Sequence, residues 1–94
     1  MSFKILLVHR ANIHIVQAIE WCSKQEKDLE IRFLKSLDKS IIYIQNNPFK
    51  SQIRYRNVRV KFMRNPKFGV HYVIDGQTIF IIGVFHTSQD STKW

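Results

Sequence analysis

Apolar residues recur along this chain with two different periods, and the change from one to the other divides it into a helical half and a strand-rich half. Phe3 to Val8 is β-prone and mostly apolar, which predicts an N-terminal strand. Asn12 is placed to cap a helix in which Ile15, Ile19 and Cys22 follow at spacings of four and three. Val16 and Ala18 widen that apolar stripe, whereas Gln17, Glu20 and Lys24 give the other side to water. Ser23 to Asp28 is polar and carries no apolar anchor, so the helix ends there and the chain reverses. Leu34, Leu37, Ile41 and Ile44, with Phe33 beside them, predict a second helix, and Asn46-Asn47-Pro48 supplies its stop.

From Tyr55 onward the period is two. Val58, Val60 and Phe62 are expected on one side of a strand, and Asn57, Arg59 and Lys61 on the other, giving a half-buried strand with a cationic outer face. Phe68, Val70, Tyr72 and Ile74 continue the alternation after Asn65-Pro66, and Asp75-Gly76 reads as a two-residue hairpin turn. Ile79 to Phe85 is apolar on both faces and belongs inside the sheet. The fold class is therefore α+β: an N-terminal strand, an antiparallel two-helix hairpin and a three-stranded antiparallel meander. Together they predict a curved four-stranded sheet packed on two helices. All of residues 1–94 form one domain, ending in a polar tail over 87–94.

Charge adds a direction to this picture. Fifteen Lys and Arg face seven Asp and Glu, a net charge of +8, which favours anionic partners. No acidic residue lies between Asp38 and Asp75, yet Lys39, Lys50, Arg54, Arg56, Arg59, Lys61, Arg64 and Lys67 all do. Arginine-rich clusters suit bidentate contact with phosphate or carboxylate. A domain this short keeps a modest core, so a partner covering apolar surface would add stability.

Other chemistry is sparse. Cys22 is the sole cysteine, expected as a small buried hydrophobe on a helix, and it excludes an internal disulfide. His9, His14, His71 and His86 show no paired ligand spacing, so neither a metal site nor a cofactor is expected. His71 is expected to share the outer face near Arg59, and His86 ends the last strand. The N-terminal apolar run is too short for a signal peptide or a membrane span, so a cytoplasmic chain without a membrane partner is expected.

The order of these elements, with several residues, resembles the RelE/ParE toxin superfamily. The resemblance spans almost the whole chain. It is carried by Arg56, by Asn65-Pro66-Lys67-Phe68-Gly69-Val70-His71-Tyr72-Val73-Ile74-Asp75, by Ile79 to His86, and by Asp90 and Trp94 in the tail. Ala18-Ile19-Glu20-Trp21 and Ile44-Gln45-Asn46-Asn47-Pro48-Phe49 fit less specifically, and the strand and tail are nearer the ParE-type pattern. The resemblance implies the toxic half of a bacterial toxin–antitoxin pair, neutralised by an acidic, partly disordered antitoxin. Its targets in the family are DNA gyrase, for ParE-like members, or ribosome-bound mRNA, for RelE-like endonucleases.

In the RelE pattern Arg59 and Lys61 correspond to sheet cations, but Ser88 stands where an arginine would be and Trp94 where a tyrosine would be. Tryptophan is a poor substitute for a phenolic proton donor. The expected activity is therefore toxicity through binding, with gyrase as target. Arg54, Arg56, Arg59, Lys61, Arg64, Lys67, His86, Asp90 and Trp94 are the expected contact residues for target or antitoxin. The alternative is a metal-independent mRNA endonuclease using Arg59, Lys61, His71 or His86. A third reading is a small, non-toxic RNA-binding module on the same basic sheet.

Overall fold

The computed structural model describes residues 3–87. Strand β1 (Lys4–Leu7) leads almost directly into helix α1 (His9–Gln25), and a short turn connects it to α2 (Leu29–Asn46). Strands β2 (Ile53–Tyr55), β3 (Val58–Phe62), β4 (Phe68–Asp75) and β5 (Thr78–His86) complete the chain. The sheet is open, in the order β1-β5-β4-β3-β2. Its first strand pairs in parallel with its last, Ile5 opposite Ile79 and Leu7 opposite Ile81, and every other pairing is antiparallel. The α+β class, the helical hairpin and the β3-β4-β5 meander match the expectation; the strand count is five, not four.

The fifth strand is β2, three residues long and joined to β3 by the tight turn Arg56-Asn57, where Arg56 takes a left-handed φ of 49°. Three residues are too few to display a period of two. The β4–β5 turn also differs by one position: Asp75 pairs with Thr78, so the turn residues are Gly76 and Gln77. Gly76 supplies the positive φ of 61° that a tight hairpin requires.

Helix α1 begins three residues before the expected cap. Val8, not Asn12, is its first flanking residue: the Val8 amide donates to the Ile81 carbonyl, while the Val8 carbonyl accepts from Ala11 and Asn12. Sheet pairing thus fixes where the helix starts, and no side chain caps it. The buried line of α1 is Ala11, Ala18 and Cys22, small residues that let the helix lie close to β5 and α2, and Val16 is exposed. On α2 the buried line is Leu29, Phe33, Leu37, Ser40 and Ile44, with Ile41 at its margin. Leu34, expected in that seam, faces outward because it sits about 100° around the helix from Phe33.

Phe68, Val70, Tyr72, Ile79, Ile81 and Val84 meet both helices in one core cluster. The Phe33 and Phe68 rings stack at 4.9 Å, and Cys22 is fully buried, as expected. Tyr72 is wholly enclosed and donates its hydroxyl hydrogen to the Pro48 carbonyl at 2.7 Å, which ties the segment after α2 to the centre of the sheet. Gln45 makes a second tie, donating from Nε2 to the Phe3 carbonyl at 2.7 Å.

Removing only the Tyr72 hydroxyl leaves the Pro48 carbonyl without this buried donor. Tyr72→Phe should therefore lower unfolding free energy by about 1–2 kcal/mol with an unchanged urea m-value. An effect below about 0.3 kcal/mol in urea titration would show that the bond contributes nothing net.

Candidate functional site

The pairing register decides where the cations of β3 point. Arg59 lies opposite Tyr72 and Lys61 opposite Val70, and residues directly opposite in antiparallel strands share a face. Tyr72 and Val70 belong to the core, so Arg59 and Lys61 project on the helix side and not on an outer face. Val58 and Val60 occupy the reverse face, buried but outside the main core cluster. The alternation along β3 is as expected and its two sides are exchanged. The physical reason is that both faces are covered: His71, paired with Val60, sits on the reverse face with Tyr55 and Phe85 against its ring.

Three cations at or beside β3, Arg54, Arg59 and Lys61, are positioned by a ring or by carbonyl oxygens. The Arg59 guanidinium lies 5.3 Å from the Phe49 ring centroid and donates from Nη1 to the Ser51 carbonyl at 2.7 Å and the Phe49 carbonyl at 3.2 Å. Lys61 Nζ sits 4.8 Å from the Tyr43 ring centroid and donates to the Phe62 carbonyl at 3.3 Å. Arg54 lies 5.7 Å over the Phe62 ring. Such contacts fix a cation without cancelling its charge. An ion pair, Arg32–Glu26 at 2.9 Å, lies in the helical hairpin and away from this region. Arg56 in the β2–β3 turn, Arg64 after β3 and Lys67 before β4 are exposed.

His86 ends β5 as expected, whereas His71 is placed differently from the expectation. His71 is 1% exposed, on the face opposite Arg59, and its Nδ1 lies 2.8 Å from the Tyr55 hydroxyl. Burial, with a smaller contribution from nearby His14, lowers its pKa to about 4, so it is neutral at pH 7. In that state Nδ1 and the Tyr55 hydroxyl share one hydrogen bond, with its direction set by the imidazole tautomer, and burial raises the Tyr55 pKa. His86 packs between Trp21, 4.6 Å away, and Phe68, 5.0 Å away, and burial lowers its pKa too. Strand β4 separates His86 from Arg59 and Lys61. The four candidate catalytic residues therefore do not converge. Asp90 and Trp94 lie outside the described residues.

His14 is a functional candidate that the sequence does not signal. Beyond Ile81, β5 has no β1 partner, and the Val84 amide donates instead to His14 Nδ1 at 3.3 Å. His14 thus acts as a side-chain substitute for a missing strand. Its ring packs at a tilt against Phe85, 4.5 Å away, and lines a cleft of about 330 Å³ with Gln17, Trp21, Phe85 and His86. Burial, then Arg10, lowers its pKa, consistent with the acceptor role. No local motif points to it, because the contact joins residues 70 positions apart.

Among the described residues no cluster of His, Cys, Asp and Glu could hold a metal ion, and no helix is long and apolar enough to cross a membrane.

This arrangement, an open sheet with an N-terminal strand parallel to the last and a helical hairpin on one face, is a fold shared with two solved structures. The chain superimposes on a chain from the chromosomal ParDE toxin–antitoxin system of P. aeruginosa with a TM-score of 0.77 and 10% identity, over 89% of this chain and 95% of that one. It superimposes on a doubly substituted E. coli toxin RelE in the free state with a TM-score of 0.61 and 14% identity, over 97% of this chain and 90% of that one. No protein-family model and no curated protein sequence matches the chain.

A buried neutral histidine makes stability pH-dependent in a known direction. The His71 pKa is lowered in the folded state, so the unfolded chain binds the extra proton between about pH 6.5 and 4 and folding weakens as pH falls through that window. The full effect is at most about 3 kcal/mol. His71→Phe should flatten the pH dependence of the urea midpoint between pH 6.5 and 4. An unchanged slope would place the titrating group elsewhere.

Proposed function

We propose that this chain is the toxin of a bacterial type II toxin–antitoxin pair, neutralised by a cognate acidic, partly disordered antitoxin and acting in the cytoplasm by binding to DNA gyrase. The observation that carries this reading is a toxin-like fold in which Arg59 and Lys61 are held on rings and carbonyls, leaving their charge to be met from outside. An acidic antitoxin segment would supply the missing carboxylates and would also cover apolar side chains such as Ile13, Val16, Ile31 and Leu34, which the helical hairpin exposes.

Action by binding, rather than by RNA cleavage, is supported by the scattered candidates. Arg59 spends two of its donor contacts on the Phe49 and Ser51 carbonyls, and His71 is enclosed and neutral. A general acid or base must reach its substrate, and these groups are engaged within the fold instead.

Induction in a bacterium lacking the antitoxin should stop growth, with loss of plasmid supercoiling preceding any fall in translation. Arrested translation with unchanged supercoiling, together with cuts in ribosome-bound message, would replace gyrase with mRNA as the target. The antitoxin claim has its own check. Charge reversal of Arg56, Arg64 and Lys67 to Glu should weaken the toxin–antitoxin complex by at least about tenfold at low salt, with a smaller loss at high salt. Equal affinity of the two toxins by calorimetry would exclude this surface.

A further inference from the structure

A second cavity, of about 360 Å³, opens between α2 and the end of β3. One wall is a single helix face, because Ser36, Lys39, Ser40 and Tyr43 stand at spacings of three, one and three. The other wall is the stretch from Lys61 to Arg64. Three cations, Lys39, Lys61 and Arg64, therefore meet two serine hydroxyls, and the lining contains no carboxylate. Lys35 and Lys39, one helical turn apart, add a like-charge pair on the exposed side of α2.

From this geometry we infer that the α2–β3 cavity is a binding site for a phosphoryl group. Convergence is the reason. A tetrahedral phosphoryl group offers three terminal oxygens in different directions and accepts from hydroxyls as well as cations, whereas a carboxylate offers two oxygens in one plane. Lys61 is half-buried and held by the Tyr43 ring and a carbonyl oxygen, so an incoming anion gains a cation already partly stripped of water. Tyr43 and Phe62 line the cavity beside these cations, and the Tyr43 ring holds Lys61 in place. The shared chemistry is the phosphoryl group, whether it comes from a free nucleotide or from a polynucleotide backbone. The inference shares Lys61 and Arg64 with the proposed antitoxin surface, but its titration uses neither antitoxin nor gyrase, so the two readings can fail separately.

The test is a titration of the full ¹⁵N-labelled chain, followed by amide chemical shifts, with pyrophosphate, ADP and a short single-stranded RNA as separate probes. Saturable shifts are expected at Ser36, Ser40, Lys61 and Arg64. Lys61→Gln combined with Arg64→Gln should weaken binding by about tenfold or more. Lys24→Gln combined with Lys27→Gln, on the distant helical turn, should leave it unchanged. Lys39→Gln, a change at an exposed position, gives an independent check if the double variant folds poorly, and it should weaken binding severalfold. RNA binding far more tightly than ADP would assign the phosphate to a polynucleotide backbone, and equal affinities would assign it to a free nucleotide. The inference is overturned if no probe saturates, or if both double variants lose affinity equally, because the binding would then reflect net charge alone.

Discussion

Positive charge held at Arg59 and Lys61 by rings and carbonyl oxygens, not by carboxylates, is the constraint to which the rest of this molecule is adapted. Fifteen Lys and Arg share the chain with seven Asp and Glu, and the Arg32–Glu26 ion pair lies in the helical hairpin, not at β3. Where β3 must carry Arg59 and Lys61 next to a packed core, aromatic faces and carbonyl oxygens take the place of carboxylates. Each cation–π contact contributes about 0.5–2 kcal/mol, enough to fix a side chain, while leaving its full charge visible to an approaching anion. Positioning and neutralisation, which a salt bridge performs together, are thereby separated.

The fold makes that separation possible. Tyr72 reaches across the core to the Pro48 carbonyl, which holds the segment that follows α2 against the sheet and brings Phe49 and Ser51 within reach of Arg59. Helix α2 runs beside the end of β3, so Tyr43 meets Lys61 and the Lys39 side shares a cavity with Arg64. On the reverse face Tyr55 meets His71, with Phe85 packed against the imidazole, which leaves both sides of β3 occupied. The same fold occurs at 10% identity in a chain of a ParDE system and at 14% identity in a RelE toxin.

Much of this is legible in the sequence. The α+β class, the helical hairpin, the stop at Asn46-Asn47-Pro48 and the meander all follow from hydrophobic period and turn chemistry. What escapes has specific causes. Alternation along β3 separates two sides but does not say which meets the helices, and with both sides covered it points Arg59 and Lys61 the wrong way. The three residues of β2 are too few for a pattern. The α1 start is set by Val8 pairing with Ile81 on a strand more than seventy residues away, which no local cap such as Asn12 can announce. His71 reads as polar and available, whereas the sheet buries it with Tyr55 as its hydrogen-bond partner.

Uncompensated charge has one direct thermodynamic signature in the isolated chain. If the cations repel one another and lack internal carboxylate partners, raising sodium chloride from about 20 to about 500 mM at pH 7 should screen that repulsion and raise the Tm of the free protein. A Tm that falls over the same range would mean that salt is breaking ion pairs inside the molecule, which contradicts a surface whose cations await their counter-charge from a partner.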